Sequence, residues 1–390
     1  MGRAIEKPIN SMGTVLIVAS SGRMLAQAAK NAGLKPLVID LFADLDTQGY
    51  AEDFRQIKSL AEQDLAPAVD YFIERYAVAH VIYGSGFECF AESLYYLNSR
   101  LMILGNHPDV FAGQLDKPAF FSMLDELNIP YPEVVFNAPE CGDDWLLKPM
   151  QGQGGIGIKH YHADDEAKAP FYWQKFQAGQ SGSVLFLADG QQVQAVGFNS
   201  QWPARLSESQ EFVFSGVVNN CNLAETHKAL ITNWLEKMVP AFGLKGLNSL
   251  DFIHANDCSY VLEINPRPSA SMQLYDQDLL VGHIQTCKGA VGATSVALSL
   301  EIERVKSPLR SGYQIVYAEQ DVIIPDQFEW PEWCMDLPKP GDRCRAGQPI
   351  CSIIAHQKNS QSVVDQLRTK QQLIITKLKG FNPHGIYSQR

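Results

Sequence analysis

The sequence lacks the features that mark several classes of protein. Lysine and arginine together number 32 against 43 aspartates and glutamates, and the net charge of −11 leaves no basic excess for binding nucleic acid non-specifically. No apolar run reaches the roughly 20 residues that a membrane-spanning helix requires. Residues 1–12 also lack the apolar core of a signal peptide. We therefore expect a cytoplasmic protein that binds neither nucleic acid nor a membrane.

The cysteines and histidines show no metal-binding spacing. None of the eight cysteines forms a Cys-x-x-Cys pair or stands at zinc-finger distance from a histidine. Isolated cysteines in a chain of this size are usually small buried residues in a reducing compartment. Only His160 and His162 among the nine histidines stand close together, without a third ligand nearby, and we expect them on a loop surface. The sequence therefore predicts no structural zinc site.

The first 112 residues alternate apolar strands with helical stretches. The four apolar runs are Thr14–Ala19, Pro36–Asp40, Val81–Tyr83 and Leu101–Leu104. This order predicts a parallel sheet with crossover helices, an α/β domain over residues 13–112. Ligand clefts of such sheets lie at the C-terminal ends of the strands, so Ser20–Gly22 and Gly84–Gly86 either face a ligand or are simply tight turns.

From Asp116 the pattern changes to α+β, with short strands that favour antiparallel pairing. Asp189-Gly190 between alternating runs is a strong hairpin signal, and a helical stretch over 223–242 precedes two further strands. We expect a small lobe over 113–182, a large lobe over 183–300, and a β-rich C-terminal region with a terminal helix over 301–390. Residues 340–350 are expected to form a closing β element rather than a modified carrier hairpin.

The glycine-rich segment 151–157 (Gln-Gly-Gln-Gly-Gly-Ile-Gly) is the first strong functional signal. Gly152, Gly154 and Gly157 satisfy the dinucleotide pattern GxGxxG, but that fingerprint needs a helix directly afterwards, and here a strand-like run follows. No Gly-Lys-Ser/Thr follows, which excludes a P-loop. Two interpretations remain. One is a structural glycine turn; the other is a β-hairpin whose N–H groups cover nucleotide phosphates while Lys148 supplies positive charge.

The second functional signal lies in two strand-like apolar runs, residues 250–253 and 261–267. If they pair as a hairpin, Asp251 lies beside Glu263, and Asn265, two residues further on, shares the face of Glu263. Two carboxylates and an amide oxygen form a hard oxygen set suited to Mg²⁺. Burying such charges without a partner is unfavourable, which favours a metal over a solvated edge strand. Arg267 follows, with a planar fork that can hold a carboxylate or acyl-phosphate oxygen.

The residues of these two signals occur, together with Lys117 and the segment Gln174–Gly179, in the order and spacing of the ATP-grasp superfamily. Over about 13–300 the chain resembles the carboxylate–amine ligase branch, related to biotin carboxylase and carbamoyl-phosphate synthase. The resemblance implies that the chain binds ATP and Mg²⁺, or Mn²⁺ in its place, and that Gln177 and Gln180 stand where many members carry a glutamate. The implied ATP-binding residues are Lys117, Lys148, Gly152, Gly154, Gly155, Gly157, Gln174, Lys175, Phe176, Gln177 and Gln180. The implied metal ligands are Asp251, Glu263 and Asn265, and the implied catalytic residues are Lys148 and Arg267.

The resemblance also implies a reaction. ATP phosphorylates a substrate carboxylate, and an amine then displaces phosphate to form an amide; bicarbonate activation and a non-catalytic ATP-binding module are the alternatives. Similarity to ATP-grasp proteins encoded beside one-carbon coenzyme genes narrows this to an amino-acid or glutamyl ligation in methanofuran- or methanopterin-like cofactor synthesis. The expected partners are a small-molecule carboxylate and amine, with a homodimer left open. Gln210–Asn220 is expected to be a substrate strand or a core strand, and Ser269–Met272 a substrate loop.

Overall fold

The computed structural model describes residues 13–139, 144–162, 170–275, 279–289 and 309–381 of the 390-residue chain. The N-terminal part contains a five-stranded parallel sheet in the order β3-β2-β1-β4-β5, which confirms the predicted α/β domain. The strands are β1 Thr14–Val18, β2 Lys35–Asp40, β3 Asp53–Gln56, β4 His80–Tyr83 and β5 Met102–Ile103. The helices are α1 Arg23–Asn31, α2 Leu45–Tyr50, α3 Glu62–Tyr76, α4 Glu92–Arg100 and α5 Pro108–Leu115.

The central strand β1 shows why this part of the sequence folds as it does. Val15 and Ile17 are fully buried in one apolar cluster, and Leu16 and Val18 in another, so both faces of the sheet are covered. The predictions missed β3, because this polar edge strand (Asp-Phe-Arg-Gln) carries no apolar run. A 3₁₀ turn over 87–89 precedes α4.

The small lobe contains α6 (Lys117–Glu126) and a four-stranded antiparallel sheet in the order β6-β9-β7-β8. The strands are β6 Val134–Val135, β7 Trp145–Pro149, β8 Lys159–His160 and β9 Phe171–Lys175. Because β7 pairs with β8, the glycine-rich segment connects a hairpin and leads into no helix. The strand predicted over 156–161 is shorter than expected, since Gly155 and Gly157 have positive φ angles and keep Ile156 in the turn.

The remaining strands build an eight-stranded antiparallel sheet in the order β14-β13-β10-β11-β12-β15-β19-β17. Its strands are β10 Gln180–Asp189, β11 Val193–Ala204, β12 Val213–Val218, β13 Lys245–Ala255, β14 Cys258–Asn265, β15 Arg310–Tyr317, β17 Cys334–Met335 and β19 Pro349–Gln357. The pair β16 (Val322–Ile323) and β18 (Arg343–Cys344) stands apart from it. The helices are α7 Glu225–Phe242, α8 Leu279–Cys287 and α9 Ser360–Phe381. The predicted hairpin at Asp189-Gly190 is confirmed, and the C-terminal strands extend the same large sheet.

His283 on α8 ties the large sheet to the first domain. Its Nδ1 accepts the N–H of Leu247 on β13 at 2.8 Å, and its Nε2 lies 2.9 Å from the carbonyl oxygen of Leu104. Burial lowers the pKa of His283 to about 4, so the neutral ring accepts at Nδ1 and donates at Nε2. This contact helps to fix the first domain against the large sheet. Among the described residues, no helix combines the length and apolar character needed to cross a membrane.

Candidate active site

A large cavity of about 680 Å³ opens between the first domain, the small lobe and the large sheet. Its walls come from turns after β1 and β4, from the glycine-rich turn, and from the strands β9, β10, β12, β13, β15 and β19. The predicted site residues that line it are Lys148, Gly154, Gly155, Gln174, Lys175, Phe176, Gln177, Asp251, Glu263, Asn265 and Arg267. A cavity of this size is suited to a nucleotide or a drug-sized ligand.

Asp251 on β13 and Glu263 on β14 stand directly opposite each other across the hairpin. Burial and the negative charge of Glu263 raise the pKa of Asp251 to about 7, while hydrogen bonds from Asn265 and Gln201 oppose the shift. Two facing carboxylates disfavour carrying both negative charges at once. A cation between them would remove that repulsion, so this pair is the centre of the candidate metal site.

Arg267 and Asn265 extend the carboxylate pair. Asn265 donates from Nδ2 to Oδ2 of Asp251 at 3.1 Å, and its Oδ1 accepts from Nη2 of Arg267 at 3.2 Å. Because a guanidinium can only donate, this contact orients the amide and leaves Oδ1 one further lone pair. The Nε of Arg267 lies 2.7 Å from Oε1 of Glu88, so the first domain holds the guanidinium in place at the cavity wall.

Lys148 on β7 faces the same carboxylates from the small lobe. Its Nζ donates to Oε1 of Gln174 at 3.0 Å, which orients that amide and leaves Nε2 of Gln174 buried without a partner among the described residues. Burial lowers the pKa of Lys148, and the charges of Glu263 and Asp251 oppose that shift. A buried ammonium group beside an unpaired amide donor can receive a polar, anionic ligand.

The glycine-rich turn, residues 150–158 and hereafter the flap, rests on the start of β12. The carbonyl oxygen of Gly154 accepts the N–H of Phe214 at 2.8 Å. A Cβ on Gly155 would lie 1.9 Å from the carbonyl oxygen of Phe212, so the backbones approach too closely for any side chain. Just beyond the flap, the N–H of His160 donates to Oε1 of Glu211 at 3.1 Å. Glycine is therefore required where the flap closes the cavity.

Comparison with known proteins agrees with this geometry. Residues 115–271, which include the flap and the two carboxylates, match the family model of the ATP-grasp domain. This chain contains an ATP-grasp domain. The large chain of carbamoyl phosphate synthase from Clostridium botulinum is 24% identical over 194 residues, covering 44% of this chain and 18% of that protein. The chain therefore matches less than a fifth of the length of that relative.

Solved structures extend the likeness to nearly the whole chain. Biotin carboxylase from Campylobacter jejuni has a TM-score of 0.72 at 15% identity, covering 96% of this chain and 98% of that chain. The L-amino acid ligase from Bacillus licheniformis has a TM-score of 0.67 at 13% identity, covering 92% and 97%. At these identities the likeness shows the ATP-grasp fold, including the α/β domain before it and the strands after it. ATP-grasp enzymes are ATP-dependent ligases that use ATP and Mg²⁺.

The residues of this ATP-grasp site fit both ATP and Mg²⁺. Facing Asp251 and Glu263, with the spare lone pair of Asn265, offer Mg²⁺ the oxygen ligands it prefers, and leave positions for phosphate oxygens and water. The unpaired Nε2 of Gln174 and the ammonium of Lys148 offer donors to ATP. When bound, Mg²⁺ would neutralise negative charge on the phosphates.

The segment Gln174–Gly179, hereafter the hinge, runs from the end of β9 to the start of β10. Lys175, Phe176 and Gln177 all line the cavity, and the ring of Phe176 meets the edge of His160 with centroids 5.0 Å apart. His160 is therefore half-buried against aromatic rings, which corrects the expectation of an exposed loop surface. Backbone groups of this segment remain our candidates for recognising adenine.

Four predicted ATP-binding residues are absent from the described cavity wall. Lys117 turns its Nζ back to the carbonyl oxygen of Gln114 at 3.3 Å. Gln180 donates to Oγ of Ser200 at 3.1 Å, on the other face of β10. Gly152 and Gly157 belong to the turn but lie against Pro149 rather than in the wall.

Sequence reasoning also missed several residues that line the cavity or hold a residue that does. Glu88 gave no signal because its partner, Arg267, lies 179 positions away. The two predicted substrate segments do contribute, through Phe212–Phe214 and Ser269–Ser271, and β12 is at the same time a strand of the large sheet. Ser20, Ser21 and Ser85 line the cavity, and Gly86 forms a tight turn with φ of 111°. The C-terminal region also lines the cavity, through residues that the sequence analysis did not predict: Tyr313, Asp336 and Ser352.

Proposed function

We propose that this protein is an ATP-dependent carboxylate–amine ligase that forms an amide through an acyl phosphate and releases ADP and phosphate. The observation that carries the proposal is the grouping, around one cavity, of an oxygen set for Mg²⁺ (Asp251, Glu263, Asn265) with two cations, Lys148 and Arg267. This combination is suited to neutralising charge on a transferring phosphoryl group and on the carboxylate that accepts it.

In the first step, a carboxylate oxygen of the substrate attacks the γ-phosphorus of ATP and the bond to the ADP oxygen breaks. Arg267 would hold the carboxylate, because Glu88 engages its Nε while Nη1 and Nη2 each keep one N–H beyond their bonds to Pro268 and Asn265. Lys148 and the flap N–H groups would stabilise the negative charge on the phosphoryl oxygens.

In the second step, the nitrogen of an amine attacks the acyl carbon, phosphate leaves, and the nitrogen loses a proton. An acyl phosphate is hydrolysed by water, so the site must exclude solvent between the steps. The contact of Gly154 with Phe214 supports this role for the flap, because it closes the turn over the cavity. The narrower hypothesis of one-carbon coenzyme synthesis has no support among the cavity residues and is not part of the proposal.

The test is to trap the acyl phosphate with hydroxylamine. The full chain is incubated with Mg-ATP, hydroxylamine and single carboxylates from an amino-acid and organic-acid panel, and hydroxamate and phosphate are measured. We expect carboxylate-dependent hydroxamate, reduced about 100-fold or more in Lys148→Ala and Glu263→Gln. Phosphate release stimulated by bicarbonate alone would favour the carboxylase-like alternative. Mg-ATP binding without phosphate release for any carboxylate would favour the non-catalytic module.

A further inference from the structure

Asp44 is a buried carboxylate on the wall of the cavity, on the loop that leads into α2. It is 7% exposed, and among the described residues no hydrogen-bond donor or cation pairs with its side chain. Buried carboxylates without a partner are rare, because leaving water without compensation is unfavourable. The position of Asp44 therefore calls for a partner that is supplied from the cavity.

The neighbouring carboxylates already have partners. Asp40 accepts the N–H groups of Gly22 and Ala43 at 3.1 and 2.8 Å. Asp46 accepts the N–H groups of Asp336 and Leu337, both at 2.9 Å.

The charge of Asp336 is compensated by Arg23, whose Nε lies 3.0 Å from Oδ1. Each nitrogen of Arg23 has a partner elsewhere, since Nη1 donates to Gln27 at 3.1 Å and Nη2 to Gln273 at 2.8 Å. None of them makes a hydrogen bond to Asp44, and this end of the cavity carries more negative than positive charge. Burial, together with the charges of Asp336, Asp40 and Asp46, raises the pKa of Asp44 to about 8.

Other ligands fit this end of the cavity less well. A divalent metal needs several oxygen ligands, but among the described residues Asp44 belongs to no group of three His, Cys, Asp or Glu side chains whose ligand atoms lie within 4.8 Å of one another. An anion is excluded by the excess of carboxylates. Met24, Leu25 and Phe42 line the same region, so an apolar group can be accommodated beside the carboxylate.

We propose that Asp44 binds the protonated nitrogen of the amine substrate, which is a cationic amine carried on an apolar group. The inference rests on the proposed function. The ammonium group supplies the donors and the positive charge that Asp44 lacks, and Gln273 connects this end of the cavity to the Ser269–Ser271 loop that follows Arg267. The amine would thus approach the acyl phosphate from the first domain. Before the attack, the ammonium group gives one proton to the Asp44 carboxylate, and the neutral nitrogen loses a second proton as the amide forms and phosphate leaves.

Binding is tested on the full chain with primary alkylamines and phenethylamine, each compared with its matched alcohol by calorimetry. We expect the ammonium probes to bind wild-type protein about 10- to 100-fold more tightly than the alcohols, a preference lost in Asp44→Asn. The control Asp53→Asn, which removes a carboxylate held by Tyr71 and Tyr76 away from the cavity, should keep the preference. Equal binding of amines and alcohols by the wild type, or an intact preference in Asp44→Asn, overturns the inference.

A structural role for Asp44 predicts a different result. Replacing an unpaired buried carboxyl group by an amide should leave the unfolding temperature of Asp44→Asn equal to or above that of the wild type, whereas loss of a structural contact would lower it. In the turnover assay, the ratio of amine-dependent to hydroxylamine-dependent rates should fall at least about 10-fold in Asp44→Asn, because hydroxylamine is neutral. If the wild type forms no hydroxamate with any carboxylate, the proposed function fails, while the amine-binding result still decides the role of Asp44.

Discussion

Arg267, at the end of the β13–β14 hairpin, and Glu88, in the first domain, form a buried ion pair with Nε 2.7 Å from Oε1. The other oxygen of Glu88 accepts the N–H of Gly86 at 2.8 Å, so the carboxylate is itself fixed to the turn after β4. The first domain therefore sets the direction of the guanidinium that the proposed reaction uses. Its contribution to the site is made through this contact as well as through the cavity wall.

Glu88→Gln is expected to impair use of the carboxylate substrate more than binding of ATP. The amide keeps one oxygen acceptor but removes the charge that holds the guanidinium, so Arg267 loses orientation while Lys148 and the hinge are untouched. We expect kcat/KM for the carboxylate to fall about 10- to 100-fold and KM for ATP to change by less than about threefold. Steady-state hydroxamate formation measures both.

The matched control for Glu88 is Glu92→Gln, an exposed carboxylate four positions further on at the start of α4. It should behave as wild type in both constants. If Glu88→Gln instead lowers kcat/KM for the carboxylate and raises KM for ATP by similar factors, the ion pair only stabilises the fold.

Asp251→Asn is expected to stabilise the metal-free protein and abolish the effect of Mg²⁺. Replacing one of two facing carboxylates removes the repulsion from Glu263, which should raise the free energy of unfolding without metal by about 1 kcal/mol. The same change removes a proposed metal ligand, so Mg-ATP, which we expect to raise the unfolding temperature of the wild type, should not raise that of the variant. Thermal unfolding with Mg-ATP or with EDTA tests both statements, and the exposed Glu236→Gln is the control. Retention of the Mg-ATP effect in Asp251→Asn would contradict the assigned metal site.

The carboxylate hairpin could be predicted because its geometry is local. A strand repeats every two residues, so Asn265 shares the face of Glu263. A regular hairpin across the turn at Asn256-Asp257 would pair Asp251 with Leu262, and a bulge between Asp251 and Phe252 shifts the register by one residue and places Asp251 opposite Glu263. The glycine-rich hairpin is local as well. Both were therefore visible in the sequence before any tertiary contact was known.

The errors in the site arise from side-chain direction and from long-range contacts. Gly179, Ser181 and Ser183 face the cavity, so the same two-residue repeat sends Gln180 to the other side, a consequence of where β10 begins. The pairing of Arg23 with Asp336 spans 313 positions and depends on how the C-terminal strands extend the large sheet. No local pattern encodes such a contact.

We expect the protein to lose stability at acidic pH, because His283 binds a proton more readily in the unfolded chain than in the folded one. Burial lowers its pKa to about 4, against about 6.5 in the unfolded chain, so between these values the unfolded state binds more protons. Stability is therefore full above pH 6.5 and is lost progressively as the pH falls towards 4. We expect this group to contribute a loss of about 2 kcal/mol between pH 7 and pH 5, measured by urea unfolding as the difference between wild type and His283→Gln. The exposed His356→Gln should follow the wild-type pH dependence; if His283→Gln does so too, the imidazole is not buried in its neutral form.

Two adjacent glycines of the flap allow backbone strain to be separated from closure. Gly154 and Gly155 both have positive φ, 59° and 75°, so alanine is strained at either position. A Cβ on Gly154 meets open space, whereas one on Gly155 would lie 1.9 Å from the carbonyl oxygen of Phe212 and prevent the flap from resting on β12. We expect Gly155→Ala to raise KM for ATP by about 10-fold more than Gly154→Ala does, and to increase phosphate release that is not matched by hydroxamate, because water enters the open site. Hydroxamate and phosphate measured in the same reaction give this ratio, with equal unfolding temperatures showing that the fold is intact. Identical behaviour of the two variants would mean that strain in the turn matters and that contact with Phe212 does not, so the flap would not close the cavity through β12.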